Sequence, residues 1–203
     1  MPVAPNKVAD IASISDTITV DGGVFRVLID HPTQVRSLEQ YGKSQGTERR
    51  WSAFVKINGG QKFVHSEVKL TWAHVDHSRA GIIPTSPEFR ELLRVLYASP
   101  SVSVYGFYAH AGNSYASTSF SEASSFLSSE IQSVNLAARI ALDELSKFPN
   151  AQNAQRSFVL SVGSTPTAHA VNPETRRRLD EELCGALELH AGETPELRNI
   201  AKA

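Results

Sequence analysis

Cysteine is nearly absent: Cys184 stands alone in 203 residues. That excludes an internal disulfide and any zinc site built from several cysteines, and it leaves a small side chain whose ordinary place is the core. An excess of either charge is missing too. Lys plus Arg (20) against Asp plus Glu (21) gives a formal net charge of -1, so no electrostatic footprint points to nucleic acid or an anionic membrane. A small molecule is the expected partner. No apolar run approaches the roughly 18 residues that span a bilayer. The opening Met1-Pro2-Val3-Ala4-Pro5 lacks the basic and apolar regions of a secretory signal, so a cytoplasmic location is expected. Nucleotide fingerprints are missing as well, since neither Gly-x-Gly-x-x-Gly nor a Gly-Lys-Ser/Thr ending occurs. Met1 is the only methionine and leads directly into the apolar pattern Val8, Ile11, Ala12 and Ile14, which reads as the interior of a domain.

What is present is ordinary globular material, 41% hydrophobic and 20% charged, of a length that suits one domain. Short β-branched runs alternate with helical patterns. Helix is expected over 7–15, strand over 24–29, a helix opened by His31-Pro32-Thr33, strand over 51–57, and a helix from the Ser86 cap to Ala98. A strand over 102–108 follows. Phe120, Ala123, Leu127, Ile131, Val134, Ala138, Ala141 and Leu145 are spaced three or four apart, as one buried helical stripe. The chain closes with a strand over 158–162, a helix opened by Asn172-Pro173-Glu174, and a strand over 186–189. Strict alternation implies right-handed crossovers and a parallel sheet, either open and doubly wound or closed as a barrel. Five strands fall short of the eight in a closed barrel, so the residues give α/β in a single domain over 1–203 and leave the choice open between an open sheet and a partial (β/α)8 TIM-type barrel.

In both architectures ligands sit beyond the C-terminal strand ends. Three of those ends carry chemistry. Tyr108-Ala109-His110-Ala111-Gly112-Asn113-Ser114-Tyr115 brings two phenols and an imidazole, enough to stack on a planar polar ligand, although packed tyrosines and a satisfied histidine would look the same. Gly163-Ser164-Thr165-Pro166-Thr167 has the glycine, hydroxyls and free backbone N–H groups of a phosphate cradle, or of an ordinary turn. His190-Ala191-Gly192 repeats the His-Ala-Gly of residues 110–112, which favours a shared site. His65, His74 and His77 match no recognised ligand spacing, and Arg176-Arg177-Arg178 is balanced by Asp180, Glu181 and Glu182 on what reads as a solvated helix face.

Together these blocks resemble the eukaryotic D-serine dehydratases, fold-type III pyridoxal-phosphate enzymes with an alanine racemase-like barrel. Pro2 to Lys7, Val55 to Gly60 with Arg79-Ala80-Gly81, Gly106 to Tyr115, Gly163 to Thr167 and Glu188 to Gly192 follow the family's blocks in order. The resemblance implies that Tyr108 and Tyr115 contact the cofactor or its Schiff base. It further implies that Thr165 holds the phosphate, that Gly192 gives it a backbone N–H, and that Arg79 lies near the pyridoxal ring. The implied reaction takes a D-amino acid, D-serine, removes its Cα proton and expels the β-hydroxyl with help from zinc, leaving pyruvate and ammonia.

The chain also departs from that pattern. The family's Schiff-base lysine and its His and Cys zinc ligands match no residue here, so the chain is expected to be inactive by itself and to bind the cofactor weakly if at all. Alternatives are a non-catalytic pyridoxal-phosphate-binding module and an enzyme resembling D-threonine aldolase. Glu193 stands where the family has Asn, and a carboxylate there would repel phosphate. An insertion is expected at 61–76, between blocks that the family keeps adjacent. Unpaired sheet edges make association between copies an expectation too.

Overall fold

The computed structural model describes residues 2–59, 81–110, 112–148, 157–164 and 183–190. The expected insertion at 61–76, the three histidines within it or beside it, Arg79, Thr165, the helix opened by Asn172 and Gly192 lie outside the described residues. Five strands, β1 (Val27–Ile29), β2 (Trp51–Lys56), β3 (Val102–Tyr108), β4 (Phe158–Val162) and β5 (Gly185–Leu189), form one sheet. Among the described residues α1 (Val8–Val20) precedes the first strand, and α2 (Pro32–Gln45), α3 (Pro87–Ala98) and α4 (Phe120–Leu145) run between successive strands from β1 to β4.

Every neighbouring pair of strands is parallel, and the spatial order is the chain order, β1-β2-β3-β4-β5. This decides between the two architectures left open above. A doubly wound sheet reverses direction at a switch point, with helices on both faces. An order that never reverses, joined by right-handed crossovers, sends every connection to the same face. The result is a segment of a (β/α) barrel wall.

Helices α2, α3 and α4 begin where a side chain satisfies one of their first N–H groups. His31 Nδ1 accepts from the Thr33 N–H, and Gln34 Oε1 accepts from the backbone N–H groups of His31 and Asp30 at 2.9 and 2.8 Å. Ser86 and Ser119 cap α3 and α4 through the N–H groups of Phe89 and Glu122. Gly46, in the left-handed region, ends α2. Leu127, Ile131, Val134, Ala138 and Ala141 of α4 are buried against the sheet as one stripe, and Phe89, Phe107 and Phe158 stack edge to face between α3, β3 and β4. Glu144 binds α4 to α3, its covered carboxylate paired with Arg90, Arg94 and Lys147, while the Tyr97 hydroxyl donates to the Ala141 carbonyl.

Boundaries moved in two places. Strand β1 begins at Val27 rather than Val24, which is 69% exposed. Helix α1 continues past Ser15 to Val20, where the hydroxyls of Thr17 and Thr19 bond the carbonyls four residues back. Cys184 is half-buried at the margin of the core rather than inside it.

Two short pairings add to the sheet. Pro2 bridges Leu28, with the Val3 N–H donating to the Leu28 carbonyl. Ile82 bridges Ile57 through bonds of 2.9 Å to the backbone of Lys56 and Asn58. The chain that leaves β2 at Gly59 therefore returns to the same strand end by Gly81–Ile82.

Candidate functional site at the strand ends

The C-terminal ends of β2 to β5 are tied edge to edge. The Ile57 N–H donates to the Tyr108 carbonyl, the Ala109 N–H to the Ser161 carbonyl and the His190 N–H to the Val162 carbonyl, at 2.7 to 2.9 Å. Side chains that follow the strands are thereby held close together.

Tyr108 reaches this place because of an irregularity in β3. Val102 and Val104 face the helices, and plain alternation would send residue 108 to the same side. The register slips between Ala53 and Phe54, so that Val104 and then Gly106 oppose successive residues of β2. The extra residue, Tyr105, shifts the phase by one: Phe107 enters the helix-side core and Tyr108 turns to the other face. Gly106 permits the slip, since a Cβ there would lie 2.0 Å from the Val159 carbonyl oxygen. Tyr105 stacks beneath the Arg26 guanidinium at 3.6 Å and meets Phe54 edge to face, filling the same face below the site.

The Tyr108 ring lies parallel to the His190 imidazole, centroids 4.6 Å apart at 12°. His110 also lies nearly parallel to His190, 5.9 Å away at 20°. The His110 Nδ1 contacts the Gly163 carbonyl at 3.0 Å; a carbonyl only accepts, so the imidazole donates. Gly163 has φ +123°, and a Cβ there would come within 2.6 Å of the His190 carbonyl oxygen. This close approach packs the turn after β4 against the end of β5. Beyond it the buried hydroxyls of Ser114 and Ser164 bond to each other, joining a 3-10 turn (Gly112–Ala116) to the same place. Tyr115, on that turn, is 60% exposed with its ring 6.0 Å from His110.

Electrostatics follow from burial. The His190 imidazole is held down to about pKa 4, chiefly by burial and then by neighbouring His110, with the Gly163 carbonyl opposing. It is neutral near pH 7. Tyr108 is pushed above the ordinary phenol value by burial, then by Glu130 and Tyr115, so its hydroxyl keeps its proton and can donate.

Of the residues assigned from sequence, Tyr108 is half-buried against His190 and Tyr115 is exposed at the rim beside His110, while Arg79, Thr165 and Gly192 lie outside the described residues. Two further residues belong here. Ser161 bonds both Glu188 and His190. Glu130 is fully buried beside Gly59 and Ala109. Its spacing was a signal, since it falls three after Leu127 and four before Val134, inside the apolar stripe. Among the described residues no three His, Cys, Asp or Glu side chains gather as a metal set.

The architecture defines a class. Solved structures with this fold include an alanine racemase-like protein from Idiomarina loihiensis (TM-score 0.60, 21% identity) and D-threo-3-hydroxyaspartate dehydratase from Delftia sp. HT23 (TM-score 0.63, 20% identity). Each match covers all of this chain and 44% of the other. The chain is a segment of an alanine racemase-like barrel. In sequence it is similar to the D-serine dehydratase of Schizosaccharomyces pombe, 33% identical over 197 residues, across 96% of its own length. It spans 40% of that relative. No protein-family model matches it.

Proposed function

We propose that the chain forms the cofactor-facing wall of a pyridoxal-phosphate-dependent D-serine dehydratase, acting on D-serine with release of pyruvate and ammonia. The observation that carries this reading is the 33% identity sustained over 197 residues, with the family's strand-end blocks in order. The side chains suit a planar, phosphate-bearing ring. Tyr108 and His190 present parallel aromatic faces, the buried His190 Nε2 has no hydrogen-bond partner, and the Gly163–Ser164 turn is small and hydroxyl-bearing.

Pyridoxal phosphate, when bound, supplies the electron sink that makes the Cα proton of an amino acid acidic. The chain's own residues do the holding. In this reading Thr165 and the Gly192 N–H would hold the phosphate, Arg79 would lie near the ring, and Tyr108 and Tyr115 would contact the cofactor or its Schiff base. Tyr108 does so as a donor, because its phenol stays protonated at neutral pH.

The residues that the resemblance assigns to the Schiff base and to zinc are not among the 203. The isolated chain is therefore expected to retain pyridoxal phosphate weakly and to release no pyruvate from D-serine, with or without added zinc. Thr165→Ala should weaken retention by about 1 to 3 kcal/mol through loss of a charge-assisted hydrogen bond, read from the cofactor's absorbance after gel filtration. Equal retention by both proteins would sink the cradle assignment, and zinc-dependent pyruvate release would overturn the expected inactivity. The second reading, a binding module without catalysis, is favoured by the same missing lysine. Borohydride separates the two: a covalently fixed cofactor means that another lysine has taken the Schiff-base role, whereas reversible absorbance alone supports the module.

A further inference from the structure

Ser161 is approached by two groups. Its Oγ lies 2.9 Å from Glu188 Oε1 and 3.2 Å from His190 Nδ1. An ionised carboxylate can only accept, and a serine hydroxyl has a single hydrogen, so that hydrogen is committed to Glu188. The oxygen then turns lone pairs toward the imidazole. A hydrogen bond there requires the proton to be on Nδ1, which in a neutral ring leaves Nε2 as a bare lone pair.

That atom is buried and makes no hydrogen bond in the structure; the nearby Gly163 carbonyl is itself only an acceptor. The ring has little freedom to avoid this, because it is stacked on Tyr108 and His110 and its backbone N–H is bonded to Val162. A buried acceptor with nothing to accept costs free energy that a donor on a ligand would recover. We propose that Ser161 and Glu188 are positioning residues that hold His190 as its Nδ1–H tautomer, and that the bare Nε2 accepts a hydrogen bond from an N–H or O–H donor on the ligand. The second half rests on reading the strand ends as the cofactor site; the first half does not.

The test uses the full chain labelled with 15N, and spectra that correlate ring nitrogens with ring protons near pH 7.5. Wild-type His190 should show a protonated Nδ1 and a bare Nε2. Glu188 is exposed, so Glu188→Ala is a mild change for the fold; it releases the Ser161 hydrogen to donate to Nδ1, and His190 should swing from mostly Nδ1–H to mostly Nε2–H. Ser161→Thr keeps a hydroxyl and should keep the wild-type pattern, whereas Ser161→Ala should lose it. His110, bonded to Gly163, is the internal reference and should not move. An Nε2–H proton in the wild type, directed at the Gly163 carbonyl, would overturn the assignment, as would an unchanged tautomer in Glu188→Ala. Adding pyridoxal phosphate separates the two layers. The assigned tautomer with no cofactor uptake supports the positioning role and defeats the site reading, while uptake by a protein whose His190 is Nε2–H does the reverse.

Discussion

His190 couples the site to stability. In the unfolded chain its imidazole takes a proton near the ordinary value of about 6.5, whereas in the fold it stays neutral down to about 4. The folded pKa of this base is depressed, so its contribution is fully present above about pH 6.5 and is lost as the pH falls toward 4, where the unfolded state binds the proton and the folded state does not. The full shift corresponds to roughly 3 kcal/mol, reduced toward about 2 by the water that reaches part of the ring. His190→Gln should flatten this limb, so the difference in denaturation midpoint between wild type and variant should change between pH 7.5 and 4.5. Parallel pH curves for the two proteins would show that His190 is not held neutral. Glu144 acts lower on the scale. Its carboxyl sits below the ordinary range, mainly through the hydrogen bond from Lys147, so the stability it contributes survives acid that already protonates the histidine of the unfolded chain.

Among the elements, β3 carries the decisive irregularity. Its slip against β2 turns Tyr108 toward His190, and it exists because Gly106 lets the Val159 carbonyl come within 2.0 Å of where a Cβ would stand. Backbone on one side and the Phe54 ring on the other leave nothing that can yield cheaply. Gly106→Val should therefore cost about 3 kcal/mol or more by overpacking, measured as a fall in urea midpoint, and should change the near-ultraviolet signal of Tyr108. A variant as stable as the wild type would mean that the slip can be undone without consequence. Between β2 and α3, the return of Ile82 to Lys56 and Asn58 shows that whatever lies between Gly59 and Gly81 leaves and rejoins one strand end.

At the scale of the whole molecule, a sheet whose order never reverses has its helices on one side. Phe54, Tyr105 and Tyr108 lie half-exposed on the other. Strand β5 has one hydrogen-bonded neighbour among the described residues, and its Leu189 is 39% exposed. A β5 edge with no further pairing among the described residues, together with apolar strand faces, invites a second chain. Purified protein is expected to elute well above its 22.1 kDa or to aggregate on warming, and light scattering checks this. A monodisperse monomer with a sharp cooperative melt would show that the edges are better protected than their pairing implies. Much of this architecture was already legible in the residues, because strand and helix existence depend on local periodicity and caps: the α4 stripe, the Ser86 start, and the runs 102–108 and 158–162 each need only their own neighbours. Strand ends rich in Tyr, His, Gly and Ser were legible for the same reason. Burial of Glu130, the slip at Gly106 and the bonding of Ser161 to Glu188 and His190 were not, since each depends on groups dozens of residues apart meeting at one place. Sequence alone determined that β and α alternate and which strand ends carry chemistry. Only the tertiary structure decided that the sheet winds one way, that Tyr108 faces His190, and which nitrogen of His190 is left without a partner, because strand order, register and hydrogen-bond partnership are properties of packed chain segments and of no single one.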